Sequence, residues 1–143
     1  MARRIRSKEL TLAQQDFLLR NQVSGFTRVL QVSNRVMVWK GSLQSNPLFK
    51  RHDVEIEYDL TKPRPNVFVE SLDFSKRRPP HLFPDDSLCL YHRHGKGAWD
   101  GRQSIVTLIP MISHWLWCYE MWLVTSRWYG EEFPHLAGRG MEK

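Results

Sequence analysis

The chain has 143 residues, 41% of them apolar and 12% aromatic, and a formal net charge of +6. This length suits one hydrophobic core and is too short for two ordinary domains, so we expect a single domain over 1–143. No apolar run approaches the roughly 18–20 residues that cross a bilayer, and the basic start of the chain lacks the apolar stretch of a secretory signal. We therefore expect no membrane association and a cytoplasmic location.

The positive charge is gathered in three clusters: Arg3, Arg4, Arg6 and Lys8; Lys76, Arg77 and Arg78; Arg93 and Lys96. Such clusters attract acidic proteins or nucleic acid. A solvated basic surface explains them better, because no nucleic-acid module or aromatic-basic repeat accompanies the charge. Nucleic acid is therefore an unlikely partner.

The chain begins with a predicted helix and a predicted hairpin. Thr11 followed by Gln14 fits a capping box, and apolar residues recur at helical spacing before Gly25: Leu10, Ala13 and Phe17. This pattern predicts a helix over about 9–22. Valine-rich segments on both sides of Ser33-Asn34 then predict two strands joined by a turn.

The clearest strand is 52–58, where Val54, Ile56 and Tyr58 alternate with charged residues, as one buried and one exposed face require. The connection Pro63-x-Pro65 is held extended by its prolines, and 66–70 is predicted as a fourth strand. The four strands together predict an antiparallel meander.

A long irregular region and a second helix complete the pattern. Residues 71–103 contain many Pro, Gly, Asp and His, and long ordered loops in compact domains usually serve function. Thr107 is predicted to cap a helix over about 108–125 that covers the sheet through one apolar stripe: Ile112, Trp115, Leu116, Tyr119, Trp122 and Leu123. Cys118 lies beside this stripe, and we expect it to be structural.

Cys89 is the candidate for chemistry within the long loop. It lies in a short apolar segment, 88–90, and a histidine and two carboxylates precede it at His81, Asp85 and Asp86. A thiol on a loop, rather than on a core stripe, is placed more like a nucleophile than like a buried hydrophobic residue. Both cysteines are expected to be thiols, because the cytosol is reducing.

This arrangement resembles the fold of ubiquitin-conjugating (UBC) enzymes, and most of all the divergent conjugating proteins of bacterial CBASS antiphage operons, which are encoded beside a cGAS-like nucleotidyltransferase. The similarity spans about 8–135. The residues that carry it are Pro63, Pro65, His81, Ser87-Leu88-Cys89-Leu90-Tyr91, Trp99, Trp115-Leu116, Tyr119-Glu120 and Trp128-x-Gly130-x-Glu132-x-x-His135. It implies a UBC-like α+β fold: an N-terminal helix, a four-stranded antiparallel meander, a long active-site loop and a C-terminal helix packed on the sheet.

The resemblance also implies a thioester relay. Cys89 would take the C-terminal glycine of a ubiquitin-like modifier, or of a nucleotidyltransferase with a similar tail, from an activating enzyme and pass it to an amine. Exchange at a thioester needs a thiolate, and a nearby cation or base promotes one. The candidate residues are His81, His92 and His94, with His81 ranked first, and each has the alternative of being an exposed histidine without a role.

The His-Pro-Asn motif of the eukaryotic conjugating enzymes, whose asparagine stabilises the oxyanion, is absent here. His81 stands near the position of that asparagine, so its imidazole N–H is a candidate donor. An acid or base for the attacking amine is sought in Asp85, Asp86 or Asp100, each of which has the alternative of a solvated turn residue. The closing segment Trp128–His135 either docks beside the active loop or only packs the second helix.

Two rival hypotheses belong to other classes. The residues His81, Cys89, His92 and His94 lie close in sequence and suit zinc, but their spacing lacks the paired pattern of zinc modules, and no metal or other cofactor is expected. The second rival is a catalytically silent UBC-like scaffold that binds the nucleotidyltransferase.

Overall fold

The computed structural model of the protein describes residues 9–90 and 98–130. Its elements follow the predicted order of a helix, four strands, a loop and a helix. They are α1 (Leu12–Gln22), β1 (Thr27–Val32), β2 (Val36–Leu43), β3 (His52–Asp59), β4 (Asn66–Val69), a 3-10 turn (Ile105–Thr107) and α2 (Leu108–Thr125). The α+β prediction is confirmed.

Helix α1 begins at the predicted capping box. The Gln14 backbone N–H donates to the Thr11 hydroxyl at 3.1 Å, and the Thr11 N–H donates to the Gln14 side chain at 2.9 Å. The residues whose spacing predicted the helix do not form its buried face, however: Ala13 is exposed and Phe17 is 61% exposed. The helix instead buries Leu12, Gln15, Asp16 and Leu19.

Two polar side chains belong to that buried face because each has partners inside the protein. Asp16 accepts a hydrogen bond from Trp39 Nε1 at 2.9 Å. Gln15 donates to the Gln103 carbonyl at 2.8 Å and accepts from the Ile105 N–H at 2.6 Å. Satisfied hydrogen bonds allow polar groups to be buried, so hydrophobicity alone identifies the wrong face.

The four strands form one antiparallel sheet in the order β1-β2-β3-β4, as predicted. Ser33 turns the β1–β2 hairpin with a φ of 56°. In β3 the residues Val54, Ile56 and Tyr58 are buried and their neighbours are more exposed, which confirms the period-2 pattern. Every residue of the edge strand β1 is exposed.

Helix α2 packs against the sheet through most of the predicted stripe, since Ile112, Trp115, Leu116, Tyr119 and Trp122 are buried. Leu123 is the exception at 42% exposure. A partly buried pair joins the helix to β3, because His52 Nε2 lies 2.8 Å from a carboxylate oxygen of Glu120.

The beginning of α2 differs from the prediction. Thr107 makes no side-chain capping hydrogen bond to α2, and its hydroxyl donates back to the Ser104 carbonyl at 2.7 Å. A 3-10 turn precedes the helix, and the Ser104 hydroxyl caps that turn by accepting from the Val106 N–H at 3.1 Å. The residue whose side chain makes a capping hydrogen bond here is therefore Ser104, three positions before the predicted Thr107. No helix in the described part of the chain is both long enough and apolar enough to cross a bilayer.

Candidate active site

The active loop, residues 81–89, forms a tight turn. The Cys89 N–H donates to the His81 carbonyl at 3.0 Å, and the Phe83 N–H donates to the Ser87 carbonyl at 2.8 Å. His81 and Asp86 take the positive φ values of 63° and 71° that the turn requires. These bonds bring His81 and Cys89, eight positions apart in sequence, side by side.

The active loop is attached to both the sheet and α2. The Leu88 N–H donates to the Val67 carbonyl on β4 at 2.8 Å. On the other side, Trp115 Nε1 of α2 donates to the His81 carbonyl at 3.0 Å. The backbone of His81 therefore joins the loop to the helix, and the position of Cys89 follows from both attachments.

Two of the predicted acid–base residues take part in turns. Asp85 accepts hydrogen bonds from the Ser87 hydroxyl at 2.6 Å and the Ser87 N–H at 2.9 Å. Partial burial alone would raise the pKa of Asp85, but these hydrogen bonds stabilise the carboxylate and the pKa is lowered overall. Asp100 accepts from the Arg102 N–H at 3.0 Å.

The third carboxylate, Asp86, pairs with Arg78. Arg78 also donates to the Phe83 carbonyl at 2.8 Å, so it stabilises the active loop. The neighbouring Arg77 lies over the Trp122 ring at 3.9 Å and donates to the Ser126 hydroxyl at 3.0 Å. Part of the predicted basic patch therefore holds the loop region against the end of α2.

Cys89 lines a cavity of about 410 Å³ between the active loop and α2. The residue itself is only 2% exposed, but the cavity is partly open to solvent. The described lining comprises His81, Cys89, Leu90, Pro110, Met111, His114, Trp115, Cys118, Trp128 and Gly130. His81 is thus brought to the same cavity as Cys89, while Asp85 and Asp100 are not among these residues.

The closing segment contacts both the active loop and α2. The Trp128 ring lies 5.2 Å from the His81 ring and 5.3 Å from the Trp115 ring, measured between centroids. At Trp128 the segment therefore lies beside the active loop as well as packing on α2, and does not only pack the helix. Residues 131–135 lie outside the described residues.

His114 and Cys118 are cavity residues that were not assigned to the site from sequence. They stand four positions apart on α2, which puts them on one face of the helix, and His114 Nε2 lies 3.6 Å from Cys118 Sγ. Cys118 is 1% exposed, and burial raises the pKa of its thiol to about 11. The i, i+4 spacing of histidine and cysteine was the one available signal, and it carries no information on which way α2 faces the loop.

The remaining candidates, His92 and His94, lie outside the described residues. Among residues 9–90 and 98–130, no group of three or more histidine, cysteine or acidic side chains is placed to hold a metal ion. The zinc hypothesis included both of these histidines and stays a prediction that metal analysis can test.

A four-stranded meander with a helix at each end, and a cysteine on the loop between the last strand and the second helix, defines a UBC-like α+β protein. The family model described as Type II CBASS E2 protein matches residues 15–136. The chain therefore belongs to this family of E2-like proteins of CBASS antiviral defence, and its partners are other CBASS proteins. No curated protein matches the sequence.

Proposed function

We propose that the protein carries the C-terminus of a cGAS-like nucleotidyltransferase, or of a ubiquitin-like modifier, as a thioester on Cys89 and transfers it to an amine. The main support is the placement of Cys89 in an open cavity that two imidazoles, those of His81 and His114, also line. The match to the Type II CBASS E2 family adds that this thiol belongs to an E2-like protein.

Loading of Cys89 is a thiol–thioester exchange. The Cys89 thiolate attacks the carbonyl carbon of the acyl group held on the activating enzyme's cysteine, the new C–S bond forms, and the donor thiolate leaves. A base must take the Cys89 proton beforehand. His81 is the proposed base, because the loop hydrogen bond from Cys89 to its carbonyl holds the two residues together.

The oxyanion formed on attack needs a hydrogen-bond donor. The backbone N–H of Cys89 already donates to the His81 carbonyl, so the donor must be another group. The His81 imidazole lines the same cavity and is held by the Trp128 ring, which supports its proposed role as the donor that replaces the missing asparagine.

The burial of Cys89 favours one alternative. With 2% of its surface exposed, the residue is also compatible with a scaffold that binds the nucleotidyltransferase without covalent chemistry. Binding alone predicts a complex that forms equally well with Cys89→Ala.

Incubation with ATP, an activating enzyme and a cGAS-like nucleotidyltransferase distinguishes the two functions by intact mass. The relay predicts an adduct that thiols remove, that Cys89→Ala lacks and that Cys89→Ser retains in a thiol-resistant form. Cys118→Ser is the matched control and should form the adduct normally. An adduct that persists in Cys89→Ala would refute the assignment, and binding without any adduct would support the scaffold.

A further inference from the structure

The described lining of the Cys89 cavity divides into a buried floor and an exposed mouth. The floor consists of the buried residues His81, Cys89, Leu90, Trp115 and Cys118, and the mouth consists of the exposed residues Pro110, Met111 and His114. The half-buried Trp128 and Gly130 complete the lining. All three mouth residues come from the first half of α2. An amine that reaches an acyl group on Cys89 from solvent therefore passes this part of the helix.

His114 is the one titratable side chain among the described mouth residues. Its ring stacks on Trp117 at 6.2 Å with the planes 14° apart, which restricts its orientation. Nε2 lies 3.6 Å from Cys118 Sγ, a sulfur that belongs to the floor. The ring is thus held at the entrance with one nitrogen directed along the cavity wall.

Cys118 does not compete with its neighbour His114 for a proton. A thiol whose pKa is about 11 stays protonated near neutral pH and can donate only a weak S–H hydrogen bond. A contact of 3.6 Å is easily replaced by a stronger donor such as an amine. In the tautomer that carries its proton on Nδ1, Nε2 therefore presents a lone pair that an amine can use in place of the Cys118 contact.

We propose, on the basis of the function proposed above, that His114 is the proton acceptor for the amine that attacks the Cys89 thioester. The amine nitrogen bonds to the carbonyl carbon, and its proton passes to His114 Nε2. The C–S bond then breaks, and Cys89 leaves as a thiolate. The products are an amide, the thiolate and a protonated His114, which returns its proton to the thiolate or to water.

The other described candidates are less well placed for this step. His81 belongs to the buried floor, where Trp128 packs against its ring. Asp85 is bound by Ser87, and Asp100 accepts from the Arg102 backbone. Neither carboxylate is among the described residues of the cavity lining, so His114 remains as the exposed base beside the entering amine.

The test separates transfer from enzymatic loading. Full-length protein is loaded chemically with a peptide α-thioester that ends in glycine, and discharge of the Cys89 adduct to Nα-acetyl-lysine amide is followed by intact mass. His114→Gln should load like the unmodified protein and discharge about 100-fold more slowly, which is the low end for a general base. Val124→Gln is the matched control, because Val124 lies on the same helix, is exposed and is not a described lining residue.

Added imidazole should restore much of the rate to His114→Ala, since a small base can occupy the vacated space. Equal discharge by His114→Gln and the unmodified protein would overturn the proposal, as would a slow variant that imidazole does not rescue. Failure of the activating enzyme to load Cys89, with normal discharge of the chemical adduct, would instead refute the proposed function alone.

Discussion

We expect the thiol of Cys118 to react slowly with disulfides. The Cys89→Ser variant allows a direct test, because it leaves Cys118 as the single cysteine of the chain. The reason for the slow reaction is the burial of Cys118 on α2, which raises the pKa of the thiol to about 11. Only the thiolate attacks a disulfide. The expected rate at a given pH therefore follows from the thiolate fraction.

At pH 8 a thiol with a pKa of about 11 is ionised in about one molecule in 1000, against about one in four for an ordinary thiol with a pKa near 8.5. This difference lowers the rate of exchange roughly 240-fold. The more basic thiolate is the better nucleophile, and a Brønsted coefficient of about 0.4–0.5 recovers about tenfold. The net expectation is a reaction about 20-fold slower than that of an ordinary thiol, before steric protection by Gly130 and the ring of His114 is added.

The assay follows the release of a coloured thiol from an aromatic disulfide reagent between pH 7 and 10. The rate for folded Cys89→Ser should rise about tenfold per pH unit across this range, because the thiolate fraction does so below the pKa. The same variant in guanidinium is the control and should react as an ordinary thiol. Reaction of the folded variant at the ordinary rate at pH 8 would refute the reasoning and would make Cys118 a rival acyl carrier.

Three further substitutions test how the loop, α1 and the sheet are held. Trp115→Phe removes the donor to the His81 carbonyl, so we expect a loss of about 1 kcal/mol in urea unfolding and, under the proposed function, slower loading of Cys89; unchanged loading would contradict the loop attachment. Asp16→Ala leaves the buried Trp39 N–H without its acceptor and should cost about 1–3 kcal/mol, whereas Asp16→Asn, which keeps an acceptor, should cost less by the same measurement. Gly41→Ala places a Cβ 2.6 Å from a buried aromatic ring and should lower the melting temperature through a loss of about 1–3 kcal/mol; an unchanged melting temperature would show that the ring moves aside freely.

Most of the fold could be predicted from the sequence because its periodic signals are strong. The alternation at Val54, Ile56 and Tyr58 fixes β3, and the long stripe of α2 fixes the second helix. The buried face of α1 could not be predicted this way, because Gln15 and Asp16 are buried through hydrogen bonds to residues distant in sequence. Such partners become visible only when the chain is folded.

The part of the site on the active loop could be predicted from the sequence, whereas the part on α2 could not. Cys89 and His81 are close in sequence, so their pairing could be predicted from a local turn. His114 lies 25 positions after Cys89, and nothing in the period of α2 shows that its exposed face borders the loop. The family resemblance included Trp115-Leu116 and Tyr119-Glu120 of α2 but gave no role to this histidine.

Both sides of the Cys89 cavity are fixed to the same sheet. The active loop is bound to β4 through Leu88 and Val67, and α2 is bound to β3 through Glu120 and His52. The distance across the cavity therefore depends on a rigid element rather than on two independent loops. Under the proposed function, an acyl group on Cys89 would stand on the buried floor and an amine would reach it along α2, so transfer would require that the helix keeps its place on the sheet.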